Sequence, residues 1–354
     1  MKYLFILGRN IELSIAEVNS FLKRIGNKVI GYKQKENAIL VEIEKPIEDK
    51  IIDNLGGVIA LGSIIPDMDK EELYFGTSNK MNYVIWDFSD KTDKVREYLK
   101  RRFKHEKLKA TEKRLGRMME LQNGKTASTL STRNLDEQFF TFDDYFGRII
   151  QVCDYEKIEK RDMEKPVRRS ALSISPRLAK IMINLSEIRK GKLVDGFCGI
   201  GAILSEALLQ GIPVIGIDKD SNAIEGAKRN LDWAKFDKKD YHLINDDSKR
   251  ARIDFAEVMV SEPDFGELLK KIPTKEKARE TAENFENLMV SVINNLKKKI
   301  SGRFVFSVPY IRTINQRVSC NIEKISRKTN LRIAHRIPEF RENQIVGREI
   351  VVLE

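Results

Sequence analysis

The sequence predicts an α/β protein of two parts, in which the C-terminal part is a doubly wound, mostly parallel sheet of seven strands. Three observations predict it: strand and helix patterns alternate strictly from about residue 176, a glycine-rich turn follows the first of these strands, and acidic residues end the next two. The 354 residues suit about two domains. With 41% hydrophobic residues the chain can build cores, which excludes a wholly disordered protein.

The N-terminal part also alternates strand and helix. A capping-box pattern from Ser14 to Glu17 predicts a helix that begins there and buries Val18, Phe21, Leu22 and Ile25. The other elements follow from short apolar runs and helical periodicity. They are strands over residues 3–7, 38–43 and 83–88, and helices over residues 47–55 and 94–103.

The C-terminal elements end in an antiparallel pair, which fits the methyltransferase variant of the doubly wound fold. The pattern predicts strands over residues 192–197, 213–218, 241–245, 256–261, 304–308, 331–337 and 349–353. It predicts helices over residues 202–209, 222–233 and 275–299.

The charge of the chain is unevenly distributed. Lys and Arg number 64 against 53 Asp and Glu, a net charge of +11. Residues 91–133 alone hold 14 basic and five acidic residues. Such a concentration favours a polyanion, although charge runs also occur on solvated helix faces. The candidate polyanion-binding cations of this region are Lys100, Arg101, Lys104, Lys107, Lys109, Lys113, Arg114 and Arg117.

Several classes of protein are disfavoured. No apolar run reaches the roughly 20 residues of a membrane span, and the run 3–7 is too short for a signal-peptide core. The three cysteines and three histidines are scattered, so neither a disulfide framework, a metal site nor a Ser-His-Asp triad is indicated. We therefore expect a cytoplasmic protein without a membrane partner.

The strongest motif is the turn from Asp195 to Gly201, where glycines let the backbone approach a ligand closely. Asp218 ends the next strand, where a carboxylate suits a ribose diol. Asp246 and Asp247 end the third strand and suit an adenine amine. This order favours S-adenosylmethionine, with Asp195 near its ammonium or sulfonium. The loop residues expected to shape the cofactor site are Asp195, Phe197, Cys198, Gly199 and Gly201.

The loop has three other interpretations. A P-loop requires Gly-Lys-Ser/Thr, whereas Gly201 is followed by Ala202 and Ile203. A dinucleotide fingerprint prefers Gly or Ala where Leu204 stands, which disfavours NAD and leaves a dehydrogenase as a distant alternative. A tight turn without any ligand is the third.

The fourth strand of this part ends in a second motif, Glu262-Pro263-Asp264-Phe265-Gly266. Ligands of such sheets lie at the carboxyl ends of strands, so this segment should face the glycine loop. The Glu262 carboxylate and the Pro263 carbonyl can accept both hydrogens of an exocyclic amine, and Phe265 can stack on a flipped base. Orientation is then the main catalytic device. A polar turn with one buried Phe is the alternative.

These residues carry a family resemblance that spans nearly the whole chain. Residues 3–10 and 13–17 resemble the start, and residues 161–166 the linker, of the THUMP-domain tRNA guanine-N2 methyltransferases of archaea and eukaryotes, the guanine-10 family. Residues 175–179 with 184–185 resemble the segment before the first methyltransferase strand. Residues 195–201 resemble the family's Asp-Pro-Phe-Cys-Gly-Thr-Gly loop.

The resemblance implies a ferredoxin-like plus THUMP RNA-binding module over residues 1–155, a basic linker over 156–174 and a Rossmann-like class I methyltransferase over 175–354. It adds Pro176 to the cofactor site, makes tRNA the partner, and leaves open both a small activator protein and the oligomeric state. It also implies guanine N2 as the acceptor. The cations between the modules that could track phosphates are Arg161, Lys165, Arg168 and Arg169.

The sequence departs from the family at four positions. Gly196 and Ile200 replace Pro and Thr of the loop, and Glu262 and Asp264 replace Asp and Pro of the family's Asp-Pro-Pro-Tyr/Phe-Gly motif. Misplacing an acceptor by about an ångström can cost roughly a hundredfold in rate. Two alternatives therefore remain: a tRNA-binding protein that keeps the cofactor pocket with altered or lost transfer, and a methyltransferase acting on a protein or small molecule.

Overall fold

The computed structural model describes residues 1–129, 135–169, 174–266 and 269–354, and falls into two structural units. The first holds residues 1–15, 26–53 and 57–153, and the second holds residues 16–25, 54–56 and 154–354. Within the part of the chain that is described, no helix is both long and apolar enough to span a membrane.

The first unit is built on an eight-stranded sheet with the order β2-β3-β1-β4-β10-β9-β5-β6. Its strands and helices, with α1 running on into the second unit, are β1 (Lys2–Leu7), α1 (Ile11–Arg24), β2 (Val29–Lys35), β3 (Ala38–Ile43), β4 (Val58–Ile64), β5 (Lys80–Phe88), α2 (Thr92–His105), β6 (Lys109–Glu112), β7 (Arg117–Glu120), β8 (Thr126–Thr129), β9 (Glu137–Phe142) and β10 (Tyr145–Val152). Strands β7 and β8 form a separate hairpin.

Aromatic side chains fill the core of this unit. Trp86 packs with Phe140 and Phe142, whereas Tyr83 packs with Phe103 of α2. Tyr83 and Phe103 meet edge to face with ring centroids 5.4 Å apart. Such pairs stabilise a core beyond the area that they bury. These aromatic residues are therefore packing residues.

Three predictions for the first unit were wrong. The helix α1 begins at Ile11 rather than at Ser14, because the Asn10 side chain accepts from Leu13 N at 3.1 Å and caps it. The face predicted for α1 also ends early, since Ile25 is 46% exposed. A helix over residues 47–55 is absent from this described stretch, which holds a single 3-10 turn at Ile51–Asn54.

The second unit is a doubly wound sheet with the order β13-β12-β11-β14-β15-β18-β17, parallel from β13 to β15 and antiparallel at β18 and β17. Its elements are α3 (Tyr155–Glu164), α4 (Pro176–Leu185), β11 (Leu193–Asp195), α5 (Ala202–Leu208), β12 (Val214–Asp218), α6 (Ser221–Trp233), β13 (Tyr241–Asn245), β14 (Val258–Ser261), α7 (Lys275–Leu296), β15 (Phe304–Arg312), β16 (Arg317–Val318), α8 (Ile322–Thr329), β17 (Ile333–Glu339) and β18 (Val346–Leu353).

The core of the second unit lies between this sheet and α7. Phe285, Met289 and Ile293 of α7 are buried against Met259 of β14 and Phe304 of β15. The predicted run of parallel strands followed by an antiparallel pair is confirmed, and a short eighth strand, β16, which the sequence pattern does not predict, pairs antiparallel with β15. The order brings the carboxyl ends of β11, β12 and β14 to one edge, where strands of such sheets bind ligands.

Candidate functional site

Asp195 is the last residue of β11 and lies at the centre of this edge. Its side chain accepts from Phe197 N at 3.1 Å and bonds with Ser261, and the residue is 1% exposed. Burial raises the pKa of Asp195 to about 7, and the neighbouring carboxylates of Asp218 and Glu262 raise it further, while the two hydrogen bonds oppose them. Asp195 is thus a buried acid that titrates near neutrality.

The glycine loop, residues 196–201, turns the chain from β11 into α5. Gly199 and Gly201 adopt φ angles of +51° and +85°, a region that residues with a side chain rarely adopt. A Cβ on Gly199 would meet nothing within 4 Å, so the backbone here borders open space. Cys198 is buried instead, and its sulfur packs against the strand β12 at Gly216. Phe197 is half-buried against the core.

Asp218 ends β12 and holds the glycine loop from the side. Its Oδ2 accepts from Gly199 N at 2.9 Å, and its Oδ1 accepts from Asp220 N at 2.9 Å. Each oxygen keeps a further lone pair, so a diol can still donate to the carboxylate. The open space over Gly199 and the paired oxygens of Asp218 fit a ribose.

Asp246 and Asp247 follow the end of β13. Asp246 accepts from Asp247 N at 2.7 Å and pairs with Arg250, and Asp247 pairs with Lys249. Asn245 donates to the Asp218 backbone oxygen at 2.9 Å, which joins the ends of β13 and β12. The three strand ends are therefore brought together as the sequence predicts.

Two serines that sequence reasoning missed join the glycine loop to the rest of the edge. Gly196 N donates to Ser261 Oγ at 2.8 Å, and Ser248 Oγ donates to the Gly196 oxygen. A Cβ at Gly196 would lie 3.2 Å from Met259 and 3.3 Å from Ser248, closer than packing usually allows. This crowding accounts for a glycine where the resembling family has proline.

Glu262 follows β14 directly, and its side chain is only 10% exposed. Its Oε1 accepts from Arg348 Nε of β18, a partner 86 residues away that no local pattern indicates. Burial raises the pKa of Glu262, and the Arg348 charge opposes that rise. Pro263 is buried beside it. The structure thus places a buried, paired carboxylate next to Asp195.

Asp264 and Phe265 complete the second motif. Asp264 Oδ1 accepts from Gly266 N at 3.0 Å, a local bond that fixes the turn where the resembling family has a proline. The Phe265 ring meets Phe285 of α7 edge to face, with centroids 5.8 Å apart, and Arg348 lies over it at 6.0 Å. A cavity of about 330 Å³ opens between these residues and α7.

The linker cations are held by their own unit. Arg161 pairs with Glu206 at 2.8 Å, Lys165 with Asp162 at 2.6 Å, and Arg169 with Asp220 at 2.9 Å. Arg168 is exposed. Pro176 is the first residue of α4, a helix that Ser175 caps and that packs against α5, next to the glycine loop in sequence.

The N-terminal cations lie on the surface of the first unit, in α2 and in the segment after it. Lys100, Arg101, Lys104, Lys107, Lys109, Lys113 and Arg114 are all exposed. The side chain of Arg117 lies outside the described residues. Lys113 and Arg114 also border a cavity of about 350 Å³ together with Trp86 and Asp87. The surface is basic and suits an anionic ligand.

The sheet order and the acidic strand ends together define the class of Rossmann-like methyltransferase folds. Residues 166–302 match the family UPF0020, described as RMKL-like, methyltransferase domain. Over this segment the chain is similar to a methyltransferase domain.

Curated relatives carry more specific names. The chain is similar to the tRNA (guanine(10)-N2)-dimethyltransferases of Methanothermobacter thermautotrophicus and Pyrococcus abyssi. The identity is 38% over 27% of this chain and 28% of the first, and 32% over 32% of this chain and 33% of the second. The predicted family resemblance is confirmed over these segments, although the chain spans less than half the length of either relative.

Among solved structures, the chain is similar to TrmN from Thermus thermophilus. The likeness covers 100% of this chain and 99% of that chain, at 11% identity and a TM-score of 0.49.

Proposed function

We propose that this protein transfers a methyl group from S-adenosylmethionine to an exocyclic amine of a tRNA base, and that the amine is guanine N2. The observation that carries the proposal is the bond of 2.8 Å between Gly196 N and Ser261 Oγ, which joins the glycine loop directly to the residue before Glu262. The chain thereby holds a nucleoside-type cradle and an amine acceptor pair at one sheet edge.

The residues of the cradle fit the cofactor. Asp218 would hold the ribose hydroxyls, Asp246 and Asp247 the adenine, and Asp195 the positive charge. The loop residues Phe197, Cys198, Gly199 and Gly201 give it shape, and Pro176 starts the helix packed behind it. S-adenosylmethionine supplies an electrophilic methyl group on its sulfonium.

The second motif would orient the acceptor. Glu262 Oε1 is bonded to Arg348, which leaves Oε2 for one N–H of the amine, and the Pro263 carbonyl takes the other. Two such bonds turn the nitrogen lone pair, otherwise delocalised into the base, towards the methyl group. Phe265 would stack on the base, and Asp264 shapes the turn. The methylated nitrogen must lose one proton, which the buried Glu262 carboxylate is placed to accept.

The exposed N-terminal cations would bind the tRNA backbone without reading its sequence, so binding should weaken with salt. In this proposal the ion pairs of Arg161, Lys165 and Arg169 contribute by fixing the linker. The proposal includes a cytoplasmic location. A small activator protein would be an added partner.

Mass mapping of tRNA nucleosides after incubation with the protein and S-adenosylmethionine tests the proposal. A tRNA that gains methylguanosine methylated at N2 supports it. Transfer to an adenine or cytosine amine would show that the acceptor base is not guanine. Transfer in the absence of RNA would assign a protein or small-molecule substrate.

A second candidate function is a tRNA-binding protein that keeps the cofactor site but transfers no methyl group. The departures of Glu262 and Asp264 from the reaction motif of the resembling family favour it, because a misplaced acceptor can lose most of the transfer rate. Binding of both tRNA and S-adenosylmethionine without any labelled product would establish this alternative.

Cofactor affinity should depend on pH through Asp195. Since the pKa of Asp195 is raised to about 7, the side chain is protonated below that pH and loses its attraction for a cation. We expect the Kd for S-adenosylmethionine to rise about tenfold for each pH unit below 7 and to level off above it. Calorimetry from pH 5.5 to 8 measures this, and Asp195→Asn should flatten the curve. A flat wild-type curve would remove Asp195 from the cofactor site.

Gly199→Ala should weaken cofactor binding about tenfold or more, because its Cβ enters the open space that the cradle leaves. The positive φ adds a strain of about 1–2 kcal/mol. Gly211→Ala is the matched control, since Gly211 has a φ of +71° and equally open surroundings. Both variants should lose similar stability in thermal melts, whereas only the first should lose cofactor affinity. Equal affinities would place the cofactor elsewhere.

A further inference from the structure

The edge that carries the reaction motif concentrates negative charge. Asp195, Asp218 and Glu262 all lie there, and both Asp218 and Glu262 act on the Asp195 carboxylate. Burial favours the neutral form of the Glu262 carboxylate and raises its pKa. A neutral Glu262 would present a hydroxyl at one oxygen and could no longer accept a proton from the amine. The site therefore needs a cation beside Glu262.

We infer that Arg348 is the positioning residue that keeps Glu262 ionised and aligned at the end of β14, a role that rests on the proposed function for its effect on methyl transfer. The assignment stands on geometry. Arg348 Nε donates to Glu262 Oε1, and both side chains are largely buried, at 26% and 10% exposure. Charge-assisted bonds of this kind are stronger than neutral ones.

Arg348 also touches the ring proposed to stack on the base. Its guanidinium lies 6.0 Å from the Phe265 centroid, within the range of cation–π contact. Phe265 is held on another side by Phe285. One guanidinium thus contacts both the acceptor carboxylate and the aromatic ring, and fixes the spacing between them.

The pairing explains the longer acid in this chain. Arg348 lies on β18 and is opposite Pro309 of β15 in the sheet register. The strand β15 separates β18 from β14, the strand that Glu262 follows. The extra methylene of Glu262, compared with the Asp of the resembling family, lets the carboxylate extend to this arginine. In this view Arg348 compensates for the presence of Glu262 where the resembling family has Asp.

Other charged groups near the pair are part of the test. Asp195 of β11 and Asp264 of the motif are the acids on the side of Glu262, and Glu339 of β17 is the residue opposite Arg348 in the register. Because these acids are unchanged in a variant of Arg348, a difference between wild type and variant isolates the arginine.

The experiment compares Arg348→Met, Arg348→Lys and the wild type. The control is Arg336→Met. Arg336 lies on the adjacent strand β17, and its Nε is 2.9 Å from Oε1 of another buried glutamate, Glu349, so this variant also loses an ion pair with a buried carboxylate. Carbon-13 NMR of protein labelled at glutamate side-chain carboxyls reports the titration of Glu262, whose resonance is identified by its loss in Glu262→Gln. We expect its midpoint to rise in Arg348→Met and to stay in place in the control.

Kinetics give the second reading. In Arg348→Met, kcat for tRNA should fall at least tenfold at pH 7 with KM for S-adenosylmethionine within about threefold, and the acid limb of the kcat profile should move to higher pH. Arg348→Lys should restore part of the loss. An unchanged Glu262 midpoint, an unchanged kcat, or a rise in kcat on removing the arginine would each overturn the inference.

The two proposals fail separately. If the wild type transfers no methyl group to tRNA, the proposed function fails, and the NMR titration still decides whether Arg348 sets the ionisation of Glu262. If the wild type is active, and Arg348→Met has the same Glu262 titration midpoint and the same kcat as the wild type, only the inference on Arg348 fails. Thermal melts of the variants and of Arg336→Met show whether a loss of activity comes from unfolding or from the lost pairing of Arg348 with Glu262.

Discussion

Glu262→Ala is expected to reduce the methylated product by a factor of about a hundred or more while cofactor affinity stays within about threefold. The loss follows from geometry, because truncation removes an amine acceptor, and misplacement of the reacting groups by about an ångström already costs about a hundredfold. The glycine loop is held by Ser261 and Asp218 instead, so the cradle survives. Tritiated-methyl transfer to tRNA and calorimetry with S-adenosylmethionine measure the two effects.

The control for this variant must also lose a buried ion pair. Glu286 of α7 is fully buried and pairs with Lys324 at 2.8 Å and with Arg279, which makes Glu286→Gln suitable beside Glu262→Gln. Both should be destabilised, because each removes the charge of a buried carboxylate from an ion pair. Only Glu262→Gln should lose transfer at temperatures where both are folded. Full transfer by Glu262→Ala would exclude Glu262 from the mechanism.

Asp218→Ala is expected to raise the Kd for S-adenosylmethionine by about a hundredfold. The carboxylate supplies the diol acceptor and also fixes Gly199 N, and hydrogen bonds to a charged group contribute about 1.5–3 kcal/mol each. S-adenosylhomocysteine, which has the same ribose, should lose affinity to the same extent. Isothermal titration calorimetry of both nucleosides provides the measurement.

Asp237→Ala is the matched control for Asp218→Ala. Asp237 also accepts a bond from the backbone N–H two residues on, that of Lys239, and lies before β13 rather than after β12. It should lose the same local turn bond without a change in cofactor affinity. Equal Kd values for Asp218→Ala and wild type would show that the nucleoside does not use this strand end.

The features predicted best from the sequence depend on local patterns. The strands β3 and β13 lie where alternation and apolar runs predict them, and Asp218 ends β12 as expected, although β11 ends at Asp195 rather than at residue 197. These predictions succeed because the carboxyl ends of parallel strands share one edge, whatever the details of packing. The glycine loop is equally local, since its positive φ angles require glycine.

The features that were missed depend on long-range contacts or on side-chain competition. Arg348 and Glu262 are 86 residues apart, and their pairing follows from the order of β15 and β18 in the sheet. The start of α1 was misplaced because Asn10 and Ser14 can both cap a helix, and the tertiary structure selected Asn10. The strand β2 escaped notice because its residues are largely exposed and offer no apolar run.

The linker shares one side chain with the glycine loop. Asn230 of α6 donates to the Ile200 oxygen at 3.0 Å and to the Val167 oxygen at 3.1 Å, while Val167 N donates back to it at 2.9 Å. Any tightening of the loop around the nucleoside that we propose would therefore act on the Val167 amide. We expect deuterium uptake at that amide to report occupancy of the proposed site, also in variants that transfer no methyl group.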